Sequence, residues 1–269
     1  VPMIVTGTIL GLSVTKLFVG GMIPGIIIGI IQIVLCYYMA VKRGYPKGEL
    51  KPIKEIWATF KEAVWAILLT AFILFGILGG VFTPTEASIV SVLYGFCVGM
   101  FIYKEIKFKD IPRIVVESLR SVAAIMVLVG FANTFAWILA SEQIPQMIAK
   151  AILSISSNPI IVILLVNAVL IFAGMFMETI SAIIILFPVL YPVLQSIGMD
   201  PIQAGVMMVL TIVIGVITPP VGVCLFVAAN IANISLVRIT KAIFPFLVGN
   251  LIVLLLVSYI PALTVYLPN

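Results

Sequence analysis

Histidine is absent from this sequence of 269 residues, and charged residues make up only 9% of it. The absence of histidine excludes the usual histidine-based metal sites and acid–base catalysts. The two aspartates, Asp110 and Asp200, are predicted at loop ends, which excludes a paired-aspartate protease within the membrane. No stretch matches the phosphate-binding pattern G-x-x-x-x-G-K-[ST], so ATP hydrolysis through such a loop is excluded as well. We therefore expect that the chain is not an enzyme.

Cysteine is also scarce, and the net charge of +5 has a simple origin. Cys36, Cys97 and Cys224 lie far apart in apolar runs, which is not the spacing of a disulfide framework or a metal knuckle. The basic residues fall between apolar runs, where membrane topology explains them better than nucleic acid does. We expect no nucleic-acid partner and no cofactor.

Apolar sequence, in contrast, is abundant. Hydrophobic residues make up 63% of the chain and the mean hydropathy is +1.34. Apolar runs of roughly 17 to 25 residues recur along it, the length that a helix needs to cross a bilayer. These features predict an all-α integral membrane protein, a bundle of several spans. The simple spans are predicted at 17–41, 64–81, 85–103, 119–141 and 242–262.

Two further apolar regions are interrupted. Region 158–196 contains "GMFMETISA", and region 200–232 contains "GVITPPVG". The first residues, "VPMIVTGTIL", resemble the middle of a span, and we expect that the chain begins inside a larger protein whose N-terminal part is missing here.

Positive charge orients the spans. Thirteen of the fifteen lysines and arginines lie in three stretches, which are 42–63, 104–120 and 233–241. Because cytoplasmic loops are enriched in these residues, we predict that loops 42–63, 104–118 and 233–241 are cytoplasmic. Parity then requires that one interrupted region enters and leaves on the same side. We predict a re-entrant hairpin at 158–196, one broken transmembrane helix at 200–232, and a C-terminus outside the cytoplasm.

Two other patterns add to this topology. Segment 48–66 alternates charged and apolar residues at helical spacing and predicts an amphipathic helix at the membrane surface. Segments 12–30 and 234–252 share a serine, a cation three residues later and then a proline, and the predicted topology gives them opposite orientations. Similar segments of opposite orientation are typical of the inverted repeats of secondary transporters.

The motif "GVITPPVG" predicts an ion site. Pro219 and Pro220 lack an N–H, and Pro219 disfavours the helical conformation of Thr218. We expect the carbonyl groups around Gly215 to Ile217 to lack helical donors and to bind Na⁺ together with a hydroxyl group. A half-helix beginning near Val221 would direct its positive end at an anionic substrate. The alternative is a simple proline kink.

The motif "GMFMETISA" predicts a turn at Gly174, the tip of the hairpin. Glu178, Thr179 and Ser181 would be costly against lipid, so they are candidates for substrate contact. The alternative for Thr179 and Ser181 is helix capping. In "VFTPTEASIV", a capping box is the favoured interpretation. The remaining candidates are lone polar residues in apolar helices, for which hydrogen bonding between helices is the alternative to ligand contact: Asn167, Thr211 and Asn230.

At "GGVFTPTEA", "GMFMETISAIIILFPVLYPV" and "IGVITPPVGVCLFVAANIANIS" the sequence resembles the large membrane subunit of tripartite ATP-independent periplasmic (TRAP) transporters. The resemblance implies an elevator-type transporter fold with inverted repeats. It also implies sodium-coupled import of an organic acid, such as a C4-dicarboxylate or sialic acid, across the bacterial inner membrane. The implied partners are a small membrane subunit and an extracytoplasmic substrate-binding protein, and the C-terminus would be periplasmic.

Carried over to this sequence, the resemblance implies a sodium site at Gly174, Gly215, Thr218 and Val221. It also implies that the first sodium site and half of the substrate pocket precede Val1, so these 269 residues alone should not transport.

The same resemblance implies a division into domains. The transport domain would comprise 1–41 and 142–269, the scaffold 64–141, and a cytoplasmic loop and arm helix 42–63. The alternatives are a related carrier that works without a binding protein, a non-catalytic membrane assembly protein and, least favoured, a membrane enzyme.

Overall fold

The computed structural model describes residues 1–45, 52–79, 81–143, 147–148, 150–151, 154, 158–220 and 222–268. The helices of the first half are α1 Pro2–Leu10, α2 Val14–Gly20, α3 Met22–Lys42, α4 Ile53–Leu78, α5 Pro84–Cys97 and α6 Ile111–Ser141. Those of the second half are α7 Pro159–Phe176, α8 Thr179–Ser196, α9 Pro201–Val216, α10 Val223–Ala232, α11 Leu236–Tyr259 and α12 Ala262–Val265. Within the described residues the regular structure is helical, as the composition predicts.

Six helical segments of the described chain are long and apolar enough to cross a membrane. They are Val14–Lys42, Ile53–Ile77, Thr85–Ile102, Pro159–Phe176, Thr179–Ser196 and Leu236–Tyr259. Helix α6 runs over the predicted span 119–141. The prediction of an integral membrane protein with several helical spans is confirmed.

The chain divides into two compact units. One comprises residues 1–42 and 128–269, and the other comprises residues 43–127. Helix α9 lies in the middle of the first unit, where it packs against α7, α8, α11, α1 and α2. Twelve of its sixteen residues are buried, so protein surrounds α9 almost completely and its polar groups must find partners inside the unit.

In the second unit, α4 and α5 pack side by side. The hydroxyl of Tyr94 donates to the carbonyl oxygen of Trp65 at 2.9 Å and so ties the two helices together. The capping box predicted in "VFTPTEASIV" is confirmed, because Thr83 caps α5 and the Glu86 carboxylate accepts from the Thr83 N–H at 2.8 Å. This box fixes the N-terminus of α5.

Three helix boundaries differ from the sequence-based predictions. Helix α11 begins at Leu236, inside the predicted loop 233–241 and six residues before the predicted span. The amphipathic segment 48–66 and the span 64–81 form one continuous helix from Ile53, because neither glycine nor proline occurs between Ile53 and Phe75. Residues 46–51 of the predicted loop lie outside the described residues. Helix α6 begins at Ile111 and takes in charged residues that were predicted to lie in the loop. Lysine, arginine and glutamate are good helix formers in water, so hydropathy alone places the start of these helices too late in the sequence.

Candidate functional site

The interruption in "GVITPPVG" is confirmed. Helix α9 ends at Val216 and helix α10 begins at Val223. The carbonyl of Gly215 nevertheless accepts the N–H of Thr218 at 2.9 Å, and that of Ile214 accepts the N–H of Ile217 at 3.2 Å. The prediction that the Gly215 carbonyl lacks a backbone donor is therefore wrong. The last turn tightens into i to i+3 bonds, which is how helix ends commonly satisfy such groups.

The second interruption separates α7 from α8. Met177 and Glu178 adopt extended backbone conformations between the two helices. The prediction that Gly174 forms this turn is wrong, because Gly174 lies inside α7, two residues before its end. The turn requires only two extended residues, which any amino acid can supply.

The reason for glycine at 174 is contact with Gly215. A Cβ atom added to Gly174 would lie 2.8 Å from the Ile212 carbonyl oxygen and 2.9 Å from the Gly215 Cα. A Cβ atom added to Gly215 would lie 2.8 Å from the Gly174 Cα and from the Ile171 carbonyl oxygen. Helices α7 and α9 thus cross backbone to backbone near their C-terminal ends, an approach that small residues permit in membrane proteins.

A hydrogen bond joins the two interruptions. The N–H of Gly222, in the break after α9, donates to the carbonyl oxygen of Met175 near the end of α7 at 3.1 Å. Gly222 has a φ of 51°, in the left-handed region that favours glycine. The bond keeps the chain after the two prolines against the end of α7, so both interruptions belong to one site.

Thr218 places a side-chain oxygen in this site. The residue as a whole is 9% exposed, and its hydroxyl donates to the carbonyl oxygen of Ile214 at 2.6 Å. Because that hydroxyl group uses its proton on Ile214, its lone pairs remain available to a cation. Together with the surrounding backbone carbonyls it gives a set of neutral oxygen ligands.

Helix ends give this site its electrostatic character. Helices α7 and α9 both end here, and a helix C-terminus carries about half a negative charge. Helices α8 and α10 begin just beyond the interruptions and present partial positive charge. In the part of the chain that the structure describes, histidine, cysteine and carboxylate side chains form no cluster of three or more that could hold a metal ion.

At the start of α8, Glu178 is the capping residue. Its Oε2 accepts the N–H groups of Ile180 at 2.9 Å and of Ser181 at 3.0 Å. The Ser181 hydroxyl lies 3.4 Å from the same oxygen. The alternative that Thr179 and Ser181 cap this helix is wrong. Glu178 directly precedes the helix, and its side chain accepts the free N–H groups of the first turn. Thr179 and Ser181 are partly buried and Glu178 is exposed.

Thr211 lies away from the break, in a buried chain of hydrogen bonds. Its hydroxyl lies 2.9 Å from Asn167 Oδ1, and Asn167 Nδ2 donates to the Ser258 hydroxyl at 3.0 Å. Helices α9, α7 and α11 are thereby joined. The amide of Gln203 donates to the carbonyl oxygens of Val257 and Ser258 at 3.0 and 3.1 Å. The alternative of hydrogen bonding between helices is confirmed for Thr211 and Asn167. Gln203 and Ser258 belong to no sequence motif, so sequence analysis did not identify them.

Two predicted site residues are not placed. Val221 lies outside the described residues. Asn230 belongs to α10, and its side chain also lies outside the part that the structure describes. The structure therefore brings together Gly174, Gly215 and Thr218. Glu178, Thr179 and Ser181 follow within five residues of the end of α7.

Comparison with known proteins adds a family match over almost the whole chain. The family model of the tripartite ATP-independent periplasmic transporter, DctM component, matches residues 1–263. The isethionate TRAP transporter permease protein DctMQ of Oleidesulfovibrio alaskensis is 37% identical over 267 residues, 98% of this chain and 42% of that protein.

Two further relatives carry other substrate names. The sialic acid TRAP transporter large permease protein SiaM of Vibrio cholerae is 37% identical over 269 residues, 100% of this chain and 63% of that protein. The C4-dicarboxylate TRAP transporter large permease protein DctM of Pseudomonas aeruginosa is 38% identical over 257 residues, 96% of this chain and 60% of that protein. The chain thus spans less than two thirds of the length of each of these three relatives.

Proposed function

Because the chain belongs to the DctM component family of tripartite ATP-independent periplasmic transporters, we propose that it forms part of a permease that imports an organic acid together with Na⁺. The family is one of transporter permeases, which agrees with the expectation that the chain is not an enzyme. The observation that carries the proposal is the close crossing of two helix C-termini at Gly174 and Gly215, joined to the break at Thr218.

The proposed ion is bound by backbone carbonyls at this crossing and by the Thr218 hydroxyl. Two helix C-termini stabilise a cation there, and broken membrane helices commonly use unwound carbonyls for Na⁺. The hydroxyl supplies the one oxygen that a substitution can remove without changing the backbone.

The proposed substrate is an acid with a carboxylate group. The N-terminal end of α10 lies beside the break after α9, and N–H groups at helix ends bind anions. The corresponding N–H groups of α8 already donate to Glu178. Glu178 holds the first turn of α8 in place, and Thr179 and Ser181 offer hydroxyl groups beside it. The names of two relatives specify sialic acid and C4-dicarboxylates, which are carboxylates. We assign Thr211 a packing role, because its hydroxyl already lies in the buried network.

The proposal includes an elevator movement, in which the site moves together with the domain that contains it. Both interruptions lie in the unit formed by residues 1–42 and 128–269. In this proposal residues 1–41 and 142–269 form the transport domain, 42–63 the cytoplasmic loop and arm helix, and 64–141 the scaffold. In this proposal 158–196 is a re-entrant hairpin, 200–232 is a broken crossing, loops 42–63, 104–118 and 233–241 are cytoplasmic and the C-terminus is periplasmic. An extracytoplasmic binding protein and a small membrane subunit complete the system.

Uptake by the complete system tests this function. Cells or proteoliposomes that contain the full-length permease and its partner subunits should accumulate a carboxylic acid when Na⁺ is outside, and should stop when K⁺ replaces it. The binding protein encoded beside the permease identifies which acids to test, since its melting temperature rises with its own ligand. Uptake that is unchanged without Na⁺ would contradict the proposal.

A further inference from the structure

The second compact unit has an apolar groove that the transport proposal does not use. It lies between α4 and the start of α5 and has a volume of about 600 Å³. Its lining is almost wholly apolar and includes six large side chains: Trp65, Leu68, Phe72, Phe75, Phe82 and Tyr94. Two hydrogen bonds from the N–H groups of Val81 and Phe82 to the Gly76 carbonyl oxygen, at 3.0 and 3.1 Å, fix one end of the groove. The bond from Tyr94 to Trp65 fixes the other end.

The length of the groove matches one leaflet of a bilayer. Trp65 and Gly76 are eleven residues apart on α4, a distance of roughly 16 Å along the helix axis. Half of the hydrocarbon thickness of a bilayer is about 15 Å. A single extended acyl chain can therefore lie along the whole groove.

Two lysines continue the groove beyond the apolar end at Trp65. Lys54 and Lys61 lie seven residues apart, and Lys61 is one turn before Trp65, so all three lie on one face of α4. Glu55 and Glu62 each follow a lysine directly and therefore lie about 100° around the helix. The face that leads into the groove carries positive charge, which suits the phosphate of a lipid headgroup.

The lining does not suit a second helix. Close packing of membrane helices relies on small residues that let the backbones approach. Ala71 and Gly76 are the small residues of the lining. The ring of Phe82 already covers Gly76, since an added Cβ would lie 2.6 Å from that ring. The ring of Phe82 also contacts that of Phe72, with centroids 5.4 Å apart. A flexible hydrocarbon chain fits this aromatic surface better than a helix does.

We propose that the groove between α4 and α5 binds one phospholipid, with an acyl chain along Trp65, Leu68, Phe72 and Phe82 and its phosphate beside Lys61. This inference stands apart from the transport proposal, because it concerns how residues 43–127 are held in the membrane.

Fluorescence quenching tests the site, because Trp65 lines the groove. The full-length permease in detergent, with Trp65 as its only tryptophan, is titrated with phosphatidylglycerol that carries bromine on its acyl chains. Saturable quenching is expected. Ala71→Phe fills the groove and should raise the half-saturating lipid concentration by about tenfold or more. Ala66→Phe adds the same ring on another face of α4 and should change it less than about twofold.

Lys61→Gln tests the headgroup contact without changing the shape of the groove. It should weaken binding of phosphatidylglycerol about fivefold, which corresponds to about 1 kcal/mol for one lysine near a lipid surface. Equal quenching in Ala71→Phe and Ala66→Phe would overturn the acyl site, and an unchanged affinity in Lys61→Gln would overturn the headgroup contact. Absence of quenching in the assembled complex, with Trp65 shielded by protein, would also overturn the proposal and identify another subunit as the occupant.

Discussion

Gly174 and Gly215 face each other so closely that a methyl group on either would lie within 3 Å of the Cα of the other. The contact joins the ends of α7 and α9, and the bond from Gly222 to Met175 brings the break after α9 to the same point. Two helix C-termini and a threonine hydroxyl therefore meet in one place. This geometry is the basis of the proposed sodium site.

Substitution at the crossing is expected to affect stability and transport together. Gly174→Ala and Gly215→Ala each force α7 and α9 apart, because the new methyl would contact backbone atoms that cannot rotate away. We expect each to lower the free energy of unfolding by about 1–3 kcal/mol and to abolish sodium-dependent uptake. Unfolding in a titration with SDS, followed by circular dichroism, measures the first effect.

Gly29→Ala is the matched control for this prediction. Gly29 lies in α3, and a Cβ atom there would meet nothing within 4 Å. Alanine should leave stability unchanged or raise it by up to about 1 kcal/mol. Equal effects of Gly29→Ala and Gly215→Ala would show that the crossing is not a tight contact.

Thr218→Val should weaken sodium binding while the fold stays intact. Valine keeps the shape of threonine but removes the hydroxyl, and an interaction of a polar group with a charge contributes about 1.5–3 kcal/mol. The Na⁺ concentration that gives half-maximal uptake should rise about tenfold or more. Thr218→Ser keeps the oxygen and should remain within about threefold of the wild type. A Thr218→Val variant with the sodium dependence of the wild type would exclude the hydroxyl as a ligand.

Thr211→Val should act on stability and leave ligand binding alone. It removes the bond to Asn167 between α9 and α7, and such bonds in membrane proteins contribute about 0.6 kcal/mol on average and at most about 1.7 kcal/mol. The protein should unfold at a lower SDS fraction, while the KM for the substrate and for Na⁺ stays unchanged. A rise in the substrate KM without loss of stability would instead make Thr211 a substrate contact.

The cap of α5 gives a prediction within the other compact unit. Thr83→Ala removes the oxygen that accepts the Glu86 N–H and should lower the free energy of unfolding by about 1 kcal/mol. Thr83→Ser keeps the cap and should have little effect. Both variants should keep the sodium dependence of the wild type, and a change in that dependence would connect the α5 cap to the ion site.

The sequence predicted the interruption after α9 because its signals are local. Two adjacent prolines remove N–H groups whatever surrounds them, and the capping box from Thr83 to Glu86 likewise lies within four residues. The partner of Gly174 could not be found in this way, because Gly215 is 41 residues further along the chain and only the packing of α7 on α9 joins them. The family resemblance implied that both glycines belong to the site, but the sequence analysis also assigned Gly174 to a turn that it does not form.

The partners of polar residues deep in the bundle could not be predicted either, because they too are distant in sequence. Gln203 and Ser258 belong to no recognisable motif, and only the assembled helices bring them together with Asn167. Helix ends were predicted poorly where charged residues continue a helix beyond its apolar part, as at the start of α6. Hydropathy predicts which residues can lie in lipid. A helix can continue beyond them into water until a cap, a proline or a glycine ends it.

Equilibrium binding of radioactive sodium to the purified full-length permease tests the sodium site most directly. The wild type and Thr218→Ser should bind the same number of ions, and Thr218→Val and Gly215→Ala should each bind one ion fewer at the same Na⁺ concentration. Identical stoichiometry and affinity in all four proteins would contradict a sodium site at the crossing of α7 and α9.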